Sequence, residues 1–202
     1  MFHYAVHEKI RCSCKKTITI DHFGDHIFNC GVSGTTIKRH NAIVRSVQQL
    51  LSSLSFQVRL EPNDMFPVGN NGKLRPDLAI LNPDYINGIS DNMGVQPNII
   101  IDVAQACPRS KSFNVDVAYK TKINKYQVAC EENRIKCVPL IFETFGKWPP
   151  KTIEFLSSLF NYKVDSYGAA KRANYWIKRI SCSIQKELAR TVIGRKVILT
   201  KT

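Results

Sequence analysis

Apolar residues follow two different rhythms along this chain, and each rhythm predicts a different element. Between residues 36 and 54, Ile43, Val47, Leu50, Leu51 and Leu54 recur three and four positions apart, the spacing of one helix face. Thr35 or Thr36 can cap the start of that helix. The stretch "FQVRLEP", 56–62, alternates apolar and polar residues as a strand does and stops at Pro62. "LRPDLAIL", 74–81, is a second strand. The following residues 82–97, rich in Asn, Asp, Gly and Pro, read as a long turn. "NIIIDVA", 98–104, is a third strand, too apolar for either face to meet water. Helical spacing returns from Val115 to Ala129, with Val115, Ala118, Tyr119, Ile123, Tyr126 and Val128 expected toward the core. "IKCVPLIFE", 135–143, is a fourth strand, in which Pro139 predicts an edge position or a bulge. Beyond "GKWPPK", 146–151, two more helices are expected, over roughly 151–160 and 167–190. The order helix, three strands, helix, strand describes an α/β core with a helical C-terminal extension.

The chain has 202 residues, enough for one domain with a sizeable core and an appendage. Its apolar and charged fractions are ordinary, but its net charge of +13 is not. Such a balance points to a polyanionic partner, nucleic acid before an anionic membrane. Residues 146–202 hold 12 of the 29 Lys and Arg but 3 of the 16 Asp and Glu, so the excess gathers at the C-terminal end. No apolar run approaches the roughly 20 residues that span a bilayer. The opening "MFHYAVHEKIRCSC" lacks the apolar core of a secretory signal.

An acid ends the most apolar strand. Asp102 follows Ile99, Ile100 and Ile101, and burying its carboxylate is costly unless something pairs with it. Asp77 follows Pro76 in the preceding strand. If the two strands are neighbours, both carboxylates converge at one end of the sheet, where an oxygen-rich site suits Mg²⁺ or Mn²⁺. The backbone carbonyl of Val103 can supply another ligand. A divalent ion beside a basic surface can polarise a phosphodiester and lower the pKa of an attacking water. A cation is also needed near the developing charge. Lys122 or Lys125, on the following helix, can reach the site, whereas Lys120 points elsewhere. Glu61, at the end of the first strand, is either an outer metal ligand or a solvated charge. The plainer alternative is that Asp77 caps a turn and Asp102 pairs with an arginine such as Arg75.

Seven cysteines argue against a secreted disulfide framework, because the number is odd and three crowd the first thirty residues. Cys12, Cys14 and Cys30, with His26 or His22, form a soft tetrahedral set suited to Zn²⁺. A segment this short cannot bury a core, so metal binding would supply much of its folding energy.

Taken in order, "CSC", "GDHIFNC", "KRHNAIV", "LEP", "RPDLAI", "IIIDV" and "KINKY" resemble the restriction-like endonuclease domain of site-specific non-LTR retrotransposons, within the PD-(D/E)XK nuclease superfamily. The resemblance covers about residues 12–126, and "YWIKRISCSIQ", 175–185, looks like the final helix of related domains. It implies a restriction-endonuclease-like α/β core over 36–145, a zinc knuckle over 1–35, and a basic helical extension over 146–202 packed on that core. It implies Cys12, Cys14, His26 and Cys30 as zinc ligands, Asp77 and Asp102 as metal-binding acids, and Lys122 as a lysine that has moved onto the helix. The common pattern places that lysine at Ala104, where this chain has none.

Basic surfaces complete the expectation. "KRHN", with Lys38, Arg39 and His40, opens the first helix, where N–H groups and the dipole favour phosphate. Arg75, Lys125 and Tyr126 are further candidates for phosphate contact. In the last helix Ile177, Ile180, Ile184 and Leu188 form an apolar stripe, and Arg172, Arg179, Lys186 and Arg190 fall on another face that can lie along a nucleic-acid backbone. Trp148 and Trp176 are expected to pack rather than stack on bases.

The expected function is a Mg²⁺-dependent DNA endonuclease that nicks target DNA for retrotransposon insertion. Double-stranded or branched DNA is the expected partner, with RNA as an alternative. The expected location is nuclear if the chain derives from a eukaryotic retrotransposon and intracellular otherwise; if it is the end of a larger polyprotein, a reverse transcriptase is expected upstream. Rival readings are a structure-selective nuclease of the Holliday-junction-resolvase kind, a catalytically inactive nucleic-acid-binding module, and a zinc-stabilised adaptor.

Overall fold

The computed structural model describes residues 9–12, 14, 26, 30, 34–63, 65–66, 74–81, 98–107, 114–163, 166–193 and 197–200. Its elements in chain order are β1 (Lys9–Cys12), α1 (Thr35–Ser53), β2 (Val58–Leu60), β3 (Leu78–Ile80), β4 (Ile99–Ala106), α2 (Val115–Glu132), β5 (Lys136–Glu143), α3 (Pro150–Lys163), α4 (Ser166–Ile193) and β6 (Val197–Thr200). The long turn expected over 82–97, and His22, lie outside the described residues.

Strands β2 to β5 form a four-stranded mixed sheet in the order β2-β3-β4-β5. The first two pairings are antiparallel and the β4–β5 pairing is parallel, with α2 as the crossover. Side-chain alternation divides the sheet between two helical layers. Ile99, Ile101 and Val103 face a core shared with α1, α3 and α4, which includes Val47, Leu50, Phe142, Trp148 and Ile184. Ile100, Ala104 and Ala106 face the α2 side, against Tyr126, Ala129 and Ala118. Both faces of β4 are therefore covered, which explains its near-continuous apolar sequence. Pro139 lies in β5, the edge strand, where a missing N–H costs little. Trp148 and Trp176 are buried packing residues.

Three local expectations change. Neither threonine caps α1: the N-cap is Gly34, whose φ of 66° favours glycine, and Thr35 Oγ1 instead donates to the Cys30 carbonyl at 3.3 Å. Val128 is exposed rather than in the core, because it stands about 200° around the helix from buried Tyr126. Ala129 and Cys130 take the core positions. The basic extension is helical through Ile193, but Val197–Thr200 form a strand antiparallel to β1, with Cys12 opposite Val197. No helix of the described residues is long and apolar enough to cross a membrane.

Candidate functional site

The sheet register brings the acids together. Leu78 pairs with Ile101 and Ala79 with Ile100, so the next rung sets Asp77 opposite Asp102. The Asp77 N–H still donates to the Ile101 carbonyl, at 3.1 Å. Past that point β3 ends and the Asp77 side chain takes over the ladder: its Oδ2 accepts the Val103 N–H at 2.6 Å. The N–H and C=O of one extended residue point the same way, so the Val103 carbonyl also faces this side.

Each acid has a cationic or donor neighbour from a different helix layer. His40 Nε2, from α1, lies 2.9 Å from Asp77 Oδ1, and because an ionised carboxylate only accepts, Nε2 carries the proton of that bond. Lys122 Nζ, from α2, lies 2.6 Å from Asp102 Oδ2. The Asp102 side chain is 3% exposed and that of Asp77 16%. Burial raises the pKa of Asp102, Lys122 pulls it back, and the neighbouring Asp77 charge adds to the rise; the net direction is up. Burial also raises Asp77, but the His40 bond and charge, then the Val103 N–H and Lys122, outweigh it; the net direction is down. Two carboxylates on one rung with their pKa values pushed apart are a common arrangement in acid–base and metal sites.

Tyr126 ties the two sides together. Its hydroxyl donates to the Arg75 carbonyl at 2.8 Å and receives Lys125 Nζ, also at 2.8 Å. The ring is fully buried, so Tyr126 holds the "RPD" turn against α2 and does not reach a phosphate. Burial, then the charges of Asp102 and Asp77, push its phenol pKa up.

Not every expected residue joins the site. Glu61 extends the same rung, its N–H donating to the Asp77 carbonyl at 2.9 Å, but its carboxylate turns to Arg75, 3.1 Å away and exposed. Arg39, expected on a phosphate-facing surface, is 4% exposed, and its Nε donates to Gln105 on β4. Buried Arg39 thus anchors the start of α1 on the sheet, and the next residue, His40, lands on Asp77. The sequence singled out "KRHN" but gave no sign of this division of labour, nor of Gln105. Lys38, Lys125, Arg172, Arg179, Lys186 and Arg190 are exposed as expected.

The second cluster is thiol-rich. Cys12, Cys14, His26 and Cys30 present ligand atoms all within 4.8 Å of one another, a set that could bind a metal such as zinc. Cys12 and Cys30 Sγ are 3.9 Å apart, and Cys14 Sγ and His26 Nε2 are 3.4 Å apart. Tetrahedral zinc with bonds of about 2.3 Å to sulfur and about 2.0 Å to nitrogen requires edges of roughly 3.8 and 3.5 Å. The Cys12–Cys30 and Cys14–His26 separations match such edges, and the whole set lies within 4.8 Å.

No family model matches this sequence, and no curated protein matches it.

Proposed function

We propose that this protein is a metal-dependent DNA endonuclease. The observation that carries the reading is the constellation itself: two carboxylates on one sheet rung, one of them buried, with Lys122 Nζ 2.6 Å from Asp102. Lys122 offsets part of the cost of burying Asp102, but the Asp77 carboxylate still faces it across the rung. The donor set of Asp77, Asp102 and the Val103 carbonyl is all oxygen, which fits Mg²⁺ or Mn²⁺. When bound there, the ion supplies Lewis-acid polarisation of a phosphodiester and a water of lowered pKa.

The chain's own residues do the rest. The Val103 N–H and His40 fix the rotamer of Asp77, leaving little reorganisation for catalysis. Lys122 favours the ionised form of Asp102, and its ammonium would meet the charge that develops on a phosphoryl group. Lys125 is held 2.8 Å from the Tyr126 hydroxyl, where it would contact a flanking phosphate. Lys38, near the start of α1, adds positive charge. The zinc cluster would be structural, since four protein ligands leave no open position. Nicking of target DNA during retrotransposon insertion is the biological setting that this reading carries.

The test is Mg²⁺-dependent nicking of supercoiled plasmid. Asp77→Ala and Asp102→Ala should each lower the rate by orders of magnitude while duplex binding persists. Normal cutting by either folded variant would sink the mechanism.

A further inference from the structure

The basic face of α4 is not part of the cleavage site. Helices α1 and α4 run antiparallel: Ser46 Oγ donates to Ser183 Oγ at 3.3 Å, and Arg179 Nη2 donates to Gln49 Oε1 at 3.0 Å. That register puts the C-terminal end of α4 beside His40 and carries its N-terminal half away from it. Nine residues separate His40 from Gln49, about 14 Å along a helix. Helix α4 also lies outside α1: it packs chiefly on α1 and α3, whereas α1 contacts strands β2 and β4. Its outer face is then about 20 Å or more from His40, combining the distance along α1 with that across two packed helices. Asp102 and Lys122 lie further off, on the α2 side of the sheet.

That outer face has a uniform character. Lys171, Arg172, Lys178 and Arg179 are exposed in its N-terminal half, with exposed Tyr175 among them. Tyr175 is not loose, because its hydroxyl accepts Arg179 Nη1 at 2.8 Å. The one acid in α4, Glu187, is half-buried and paired with Arg190. Helix α1 contains no acid and adds exposed Arg45 beside Gln49. The one acid of α3, Glu154, helps to raise the pKa of Tyr119 on α2.

We infer that the N-terminal half of α4 is a second phosphodiester-binding surface, separate from the cleavage site, that holds one nucleic-acid segment while another occupies the site. Guanidinium and ammonium groups spread along a rigid helix suit a repeating phosphate backbone. Tyr175 adds a ring on which an unpaired base can stack. An anionic membrane fits less well: a helix that lies on lipid offers an apolar face, and here Trp176, Ile180 and Ile184 are buried in the core. The existence of a separate cleavage site rests on the nuclease reading; the basic surface does not.

The experiment compares the zinc-loaded full chain with a variant carrying Lys171→Gln, Arg172→Gln, Lys178→Gln and Arg179→Gln. Binding is measured without Mg²⁺ to labelled duplex DNA, single-stranded RNA and anionic vesicles, over a range of salt. Removing four backbone cations should lower the salt slope for duplex DNA by about 3 to 4. Capture of a labelled second segment, DNA or RNA, by protein bound to an immobilised duplex should fall about tenfold or more; which of the two is lost identifies the source. Mg²⁺-dependent nicking of a short duplex, held at saturating concentration, should fall less than capture does, because Asp77, Asp102, His40 and Lys122 are left intact. Wild-type salt slope and capture in the variant would overturn the inference. So would an equal loss of short-duplex nicking, which would mean a single surface, or a loss confined to vesicles. A chain that bridges nucleic acids but never nicks would refute the nuclease reading and leave this one standing.

Discussion

Replacing Lys122 by methionine keeps most of the side chain's length and deletes its charge, leaving Asp102 without the ammonium now 2.6 Å away. Asp102 is 3% exposed and Lys122 23%. Removing one partner of a fully buried pair costs about 3–5 kcal/mol, and the partly open lysine reduces that to about 2–3 kcal/mol. For a chain of this size the loss lowers Tm by roughly 4–12 °C, a large part of a total stability of roughly 5–15 kcal/mol. The loss must depend on pH. Burial already holds the Asp102 pKa above its ordinary value despite Lys122, and without the lysine it rises further. A carboxyl whose folded pKa exceeds its unfolded one loses stability as pH climbs between the two values, and costs nothing below the lower. The defect should therefore be small near about pH 4 and fully developed around pH 8. Urea denaturation at both pH values, with no added Mg²⁺, measures it. Adding Asp102→Asn to Lys122→Met should recover at least half of the loss around pH 8. A loss independent of pH, or a double variant no more stable than the single one, would refute the reasoning.

Other expectations follow from the same geometry. Purified protein should contain about one zinc per chain by elemental analysis, and Cys14→Ser or Cys30→Ser should release it; folded protein without zinc refutes the cluster. Tyr126→Phe removes a hydroxyl that donates to Arg75 and accepts from Lys125, so thermal unfolding should show a loss of about 1–2 kcal/mol with the ring's packing retained. His40 holds the Asp77 pKa down, against burial, so the stability it confers is present above the ordinary carboxylate value and disappears as pH falls through the depressed one. His40→Ala should therefore destabilise the protein at neutral pH, measured without divalent cation, and converge on wild type in acid; an equal loss in acid would contradict this. Nicking by His40→Ala should fall further than its binding of duplex DNA, since Asp77 loses a partner that orients it.

Much of the framework is legible along the chain because it depends on local rules. Period-3.6 spacing marks α1 and α4, and the unbroken apolar run of β4 reports burial on both faces. Asp102 stands out because a carboxylate after three isoleucines interrupts a run otherwise too apolar to meet water. The four residues of the candidate metal cluster are recognisable by type and spacing, since thiolate and imidazole ligands are few.

What stays hidden depends on register and on which layer covers which face. Nothing local says that Leu78 pairs with Ile101, yet that rung alone decides that Asp77 meets Asp102. The "KRHN" run looks like a uniform basic helix start. Packing buries Arg39 against Gln105, sends His40 to Asp77 and leaves Lys38 in water, because successive helical residues point about 100° apart. Glu61 shares the rung by its backbone, but its side chain turns to Arg75, a choice made by local backbone and solvent rather than by sequence position. The strand Val197–Thr200 needs β1 as its partner, and a pairing across nearly the whole chain leaves no periodic trace. The sequence by itself determined the elements, the acids and the metal-binding residue types, because these follow from periodicity and side-chain chemistry. The tertiary structure decided which groups meet, since cross-strand register and helix layering are long-range packing outcomes in which one residue of slip would turn Asp102 to the opposite face.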